Sequence, residues 1–148
     1  MHLASFITHG VFEKFPTLKL ALVEIGVAWV PWFLWKIDAQ YETLRRESSW
    51  VKRLPSEYFF DHVKLSTQPF EVSPDKKQLI EVLESVGGLD DVLVFASDYP
   101  HWDTDDPSYI SRLIPSSWHR KVFYENSLET FRWPADAALL EQPAAAAA

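Results

Sequence analysis

The chain has 148 residues, 47% of them hydrophobic and 15% aromatic, with a formal net charge of −7. That is the length of one domain with ample apolar material for a core, which sets disorder aside except at the end. The acidic balance makes nucleic acid and anionic membranes poor partners, and the lack of cysteine excludes disulfides and thiolate metal sites, which fits a cytoplasmic protein.

Apolar positions Leu3, Phe6, Ile7, Val11 and Phe12 fall at helical spacing and predict a helix over 2–15, stopped by Pro16. The opening residues lack a basic stretch and a clear cleavage site, so they do not read as a signal peptide. Leu18 to Ile25 (LKLALVEI) reads as a strand, with Gly26 turning the chain into the next element. Trp29, Phe33, Ile37, Tyr41 and Leu44 recur every three or four residues and predict a long amphipathic helix, with Pro31 in its first turn. The Trp29, Trp32 and Trp35 stripe on it reads as core packing rather than a ligand box.

Residues 55–60 read as a connection with an aromatic tip, and His62 to Thr67 as a weaker strand ended by Gln68-Pro69. A helix opens at Asp75, carries Leu79, Ile80, Val82, Leu83 and Val86, and ends at Gly87-Gly88. Val92 to Ala96 is apolar and β-prone, a strand buried on both faces. A short helix at 107–113 and a longer one at 117–131 follow, with Asn126 capping or interrupting the latter. The closing EQPAAAAA is low-complexity and reads as a frayed tail. No apolar run approaches the ~20 residues of a membrane span.

Alternation of helix and strand implies an α/β fold with parallel strands and right-handed crossovers. Three strands leave two open edges, and apolar parallel edges are an aggregation liability. The edges are therefore expected to be covered by something this chain does not contain, as part of a larger barrel or sheet.

The chemistry concentrates in residues 92–106, VLVFASDYPHWDTDD. An Asp beside a core strand needs a partner, and the carboxyl end of a buried parallel strand is where α/β proteins build sites. Asp98 is the leading candidate; the structural alternative is an Asp capping the next turn. Glu24 holds the equivalent place on the 18–25 strand, so the two carboxylates would face the same end. The alternative there is an ion pair with an Arg or a cap on the next helix. His101, three residues past Asp98, reads as a ligand, an acid/base or a substrate donor, or as a loop His bonded to Asp103 or Asp105. His62 reads as structural, and His2, His9 and His119 have no partner at metal-ligand spacing. The run Asp103, Asp105, Asp106 lacks the Gly and distal Glu of a calcium loop and reads as a solvated loop.

The segments GVFEKFPTLKLALVEIG (10–26), AWVPWFLWKID (28–38), STQP (66–69) and FASDYPHWD (95–103) resemble the amidohydrolase-related metal-dependent hydrolases. That family includes aminocarboxymuconate semialdehyde decarboxylase and the resorcylate-type decarboxylases, and the resemblance covers about residues 5 to 133. It implies a distorted (β/α)8 barrel with one divalent metal, usually zinc, at the carboxyl ends of its strands, acting on a small-molecule substrate by hydrolysis or non-oxidative decarboxylation. By this resemblance residues 1–133 correspond to strands six to eight, and 134–148 to the tail. Asp98 matches the family's last-strand metal ligand. Glu24 stands where the family has a sixth-strand His, which leaves the proton-transfer role to Glu24 or to a different step. The family's His-x-His pair and fifth-strand His have no counterpart. A zinc ion in a catalytic site needs three protein ligands, so the chain alone is expected to bind zinc weakly and turn over slowly or not at all. A missing N-terminal barrel half, a partner docked on a half-barrel, or a second copy of the chain would each complete it.

Overall fold

The computed structural model describes residues 2–132. Three strands, β1 (Leu20–Leu22), β2 (Val63–Ser66) and β3 (Leu93–Val94), form one parallel sheet in the order β1-β2-β3. Around it lie α1 (His2–Thr8), α2 (Val11–Lys14), α3 (Val30–Leu44), α4 (Pro55–His62), α5 (Lys76–Glu84), α6 (Leu89–Val92), α7 (Pro107–Leu113) and α8 (Asn126–Phe131). The expected alternation is present, and the strands are shorter than their apolar runs.

The register explains which face is core. Leu22, Leu65 and Leu93 are paired across the sheet, and Leu65 and Leu93 are buried in one core cluster with Phe59, Val30, Leu83 and Ile110. Burying a side chain of this size contributes about 1.5–3 kcal/mol, so this row binds the helical layer to the sheet. The opposite face carries Ala21, Lys64, Ser66 and Val94, where a groove is closed at one side by Thr130 and Phe131. Lys64 is buried there, its Nζ donating to Asp91 O at 2.6 Å and pairing with Glu129 at 3.6 Å. A buried ammonium needs such partners, since burying a charge without them is costly.

The two sheet edges differ, which corrects the expectation that both are covered from outside. Thr67 N donates to Val94 O, so Val94 faces β2 and its neighbours Leu93 and Phe95 face outward. There Asn126 Nδ2 donates to Leu93 O at 2.7 Å, and Phe95 N donates to Val122 O at 2.9 Å. The chain's own last helical segment thus satisfies the β3 edge. Among the described residues no strand pairs with the outer edge of β1.

Other departures have local causes. The helix expected over 2–15 breaks at Gly10, whose φ of +68° ends one helix and starts the next. A Cβ there would lie 2.6 Å from the Trp50 ring. Residues 55–60 belong to helix α4, not a loop: Pro55 occupies its first turn and Asp38 Oδ1 accepts from Ser56 N at 2.8 Å. Tyr58 and Phe59, the supposed aromatic tip, are buried. His62 closes that helix and is buried, stacked on Phe12 with ring centroids 4.4 Å apart and bonded through Nδ1 to Leu18 O at 2.8 Å. The 117–131 helix starts with a tight turn at Ser116–Trp118 and widens over Lys121–Glu125 before α8. Asn126 stands where the widened turn passes into α8, so the helix is interrupted there as expected; it is buried, and its amide also donates to Asp90 O at 2.7 Å. Trp29 packs against the core as expected, whereas Trp32 and Trp35 are 65% and 56% exposed, so the rest of the tryptophan stripe is not core. No described helix is long and apolar enough to cross a membrane. The expected tail lies outside the described residues.

Candidate active site

Asp98 follows β3 by four residues and takes φ +59°, a left-handed conformation that non-glycine residues adopt at a cost. The loop around it is closed by its own hydrogen bonds. His101 N donates to Asp98 O at 2.9 Å, and Asp105 N donates to Ser97 O at 2.9 Å. Thr67 Oγ1 accepts from Ala96 N at 3.2 Å, tying the loop's first residues to the end of β2.

Inside this loop Asp98 Oδ2 and His101 Nδ1 are 2.8 Å apart. The Asp98 carboxylate, through hydrogen bond and charge, raises the imidazole's pKa above its ordinary value, with smaller contributions from Glu24 and Asp103. The alternative partners named for His101, Asp103 and Asp105, do not hold its ring. Asp103 nevertheless joins the cluster: donor atoms of Asp98, His101 and Asp103 all lie within 4.8 Å of one another. Gln68 Nε2 sits 3.4 Å from Asp103 O and from Asp103 Oδ2. Gln68 is buried, and its Oε1 has no hydrogen-bond partner. Asp105 Oδ2 is likewise buried without a partner, and burial pushes this carboxyl's pKa up.

Glu24 lies two residues past β1 and shares the left-handed conformation, at φ +58°. Its N–H donates to Ser66 Oγ at 3.1 Å, and that hydroxyl donates to Gln68 O at 2.9 Å. The loop continues to Gly26, φ +70°, where a Cβ would lie 1.9 Å from Glu71 Oε1. That close approach lets the Glu71 carboxylate accept from Val27 N at 2.6 Å and Ala28 N at 3.1 Å, ahead of α3. A carboxylate at a helix N-terminus also meets the favourable end of the helix dipole. The structure therefore brings Asp98 and His101 into contact and puts Glu24 at the same end of the sheet, exposed and outside the three-residue cluster.

Sequence reasoning set Asp103 aside as a solvated loop residue and missed Gln68, Ser66 and Glu71. Asp103 had a signal in the spacing Asp-x-x-His-x-Asp over 98–103. The others act across loops at separations of 35 to 44 residues and left no local pattern. The residues present fit a divalent metal, since the carboxylate and imidazole donors of Asp98, His101 and Asp103 converge.

The family model described as Amidohydrolase matches residues 1–133. The chain is 22% identical over 142 residues to gamma-resorcylate decarboxylase of Polaromonas sp. strain JS666, covering 89% of this chain and 40% of that protein. A solved dihydroxybenzoic acid decarboxylase of Polaromonas sp. JS666, with bound manganese and the inhibitor 2-nitroresorcinol, superposes with TM-score 0.66 at 21% identity, over 88% of this chain and 39% of that one. An amidohydrolase of Mycobacterium avium subsp. paratuberculosis K-10 gives TM-score 0.66 at 24% identity, over 86% and 31%. The 5-carboxyvanillate decarboxylase of Sphingomonas paucimobilis gives 0.62 at 23%, over 88% and 38%. The chain spans two fifths or less of these relatives, and its three parallel strands with flanking helices are a portion of their (β/α)8 barrel. Fold, motif and family model agree: the chain belongs to the amidohydrolase family.

Proposed function

We propose that residues 1–133 form the C-terminal part of a metal-dependent carboxy-lyase that removes carbon dioxide from a small hydroxylated aromatic carboxylate, the reaction class named for three of the relatives. One observation carries the reading. Two carboxylates, Glu24 and Asp98, stand past the carboxyl ends of β1 and β3 in left-handed backbone conformations. Each such residue costs on the order of 1–3 kcal/mol, and such strain clusters at functional sites.

Asp98 would hold the metal, zinc or manganese, together with ligands from the rest of the barrel. When bound, the metal polarises a substrate oxygen. Glu24, exposed at the same end, would deliver the proton that replaces the departing carboxylate on the ring carbon; the broken bond is the ring-to-carboxylate bond and the products are carbon dioxide and the protonated arene. His101 holds the Asp98 carboxylate in one orientation. Ser66 and Glu71 hold the β1 loop from which Glu24 projects.

The test is metal content and carbon dioxide release from a dihydroxybenzoate by the intact protein that carries these residues. Asp98→Ala should lose both. Glu24→Gln should keep the metal and lose about 10²–10⁴ in rate, the usual contribution of a general acid. Full metal content in Asp98→Ala would remove the ligand role.

A further inference from the structure

We propose that the outward face of α3 is a self-association surface, on which a second copy of this chain lays its own α3 antiparallel, about a two-fold axis at Ala39. The inference goes beyond the carboxy-lyase reading and depends on no metal.

The face stands apart from completion of the barrel. Val30, Leu34 and Ile37 turn inward and are buried in one cluster with Leu65 and Leu93. At about 3.6 residues per turn, Trp32, Trp35 and Ala39 lie on the opposite side of the helix, pointing away from the sheet. Strands that continue the sheet add at the outer edge of β1 and leave this side uncovered. Trp32 and Trp35 are nevertheless mostly exposed, with no ring contact or hydrogen bond among the described residues. Two adjacent exposed indoles on an outer surface mark an interaction site.

The face is complementary to its own reverse. In an antiparallel pair centred on Ala39, residues equally far from it stand level, as a two-fold interface requires. Trp32 then stands level with the partner's Arg46, since each lies seven residues from Ala39. A guanidinium over an indole is an attractive cation–π pair, and Trp and Arg dominate interface energetics. Lys36 stands level with the partner's Glu42, each three residues from Ala39, so opposite charges meet across the seam. Lys36, Glu42 and Arg46 are exposed and form no ion pair among the described residues, so all three are available to a partner. Ala39, at the axis, puts little bulk between the two backbones. A parallel pairing would instead set Lys36 against Lys36 and Arg46 against Arg46, which like charges oppose.

A single thiol tests both surface and register. Helices packed about 8–10 Å apart bring Cα atoms at the axis within disulfide reach, and the chain has no cysteine of its own. With diamide as oxidant, Ala39→Cys should form a covalent dimer at least tenfold faster than Thr43→Cys, whose two copies would lie about 12 Å apart along the helix. It should outpace by the same factor Ser117→Cys, an exposed site away from α3. Trp32→Lys, which sets an ammonium level with the partner's Arg46, should slow the Ala39→Cys cross-link at least tenfold. Val23→Lys, beside the β1 edge, should leave it within twofold. An Ala39→Cys rate no greater than that of Ser117→Cys or Thr43→Cys would overturn the proposal. So would a cross-link that Val23→Lys abolishes and Trp32→Lys leaves unchanged.

Discussion

At the scale of the residue, the chain spends its few buried polar groups on joining elements. Asn126 is 3% exposed and its amide satisfies Asp90 O and Leu93 O, two carbonyls from the turn into β3 and from its outer edge. Asn126→Ala would leave both acceptors unpaired, and at about 1–3 kcal/mol for an orphaned buried group the midpoint of urea unfolding should fall clearly with an unchanged slope. Glu13 offers a pH signature. The Tyr58 hydroxyl donates to its carboxylate and, with Lys52 and Arg53 nearby, holds its pKa below the ordinary glutamate range. A carboxyl with a lowered folded-state pKa stabilises the fold above its unfolded value, and that stabilisation is lost as pH falls through the folded value. Unfolding free energy measured from pH 6 down to pH 3 should therefore decline below the ordinary glutamate range, and Tyr58→Phe should flatten that limb. An equal slope in both proteins would contradict the assignment.

At the scale of the element, what was legible in the sequence was type and order. Three apolar runs, each followed by a helix at 3.6-residue spacing, name the parallel sheet without ambiguity, and SDYPHWD marks the end of the last strand. Strand length was not legible, because Val23 and Ile25 look like ladder residues while Glu24 between them has left the extended region. Helix α4 was hidden because Pro55 signals a loop and a helix start equally well; only its contact with Asp38 decides between them. Trp32 and Trp35 mislead because aromatic residues on two faces of one helix obscure which face is core. In the site, Asp98 and Glu24 were visible from strand ends alone, whereas the Ser66 and Glu71 clamps depend on loops brought together by the sheet. The Glu71 clamp makes its own prediction. Glu71→Ala should expose the Val27 and Ala28 amides, seen as faster hydrogen exchange at those two positions, with core amides such as Leu65 unchanged. Gly26→Ala should destabilise the fold by about 1–3 kcal/mol or more, since it combines positive φ with a Cβ 1.9 Å from Glu71 Oε1.

At the scale of the whole molecule, the asymmetry of the sheet governs behaviour. The β3 edge is closed by Val122 and Asn126, while the side of β1 presents Leu18, Val23 and Ile25 with 37%, 57% and 46% exposure. Trp32, Trp35 and Trp102 add further exposed aromatic area. Apolar surface of this kind on an edge that no described strand pairs with promotes association, so sedimentation should show the chain's average mass rising with concentration, and Val23→Lys should shift it toward monomer. Whether Asp98 holds a metal as part of an amidohydrolase barrel is decided by the metal content of the intact protein after loading with Mn²⁺ or Zn²⁺ and desalting. About one metal per chain is expected in the wild type and none retained in Asp98→Ala, with both proteins folded by circular dichroism. Equal metal in the two would contradict that role.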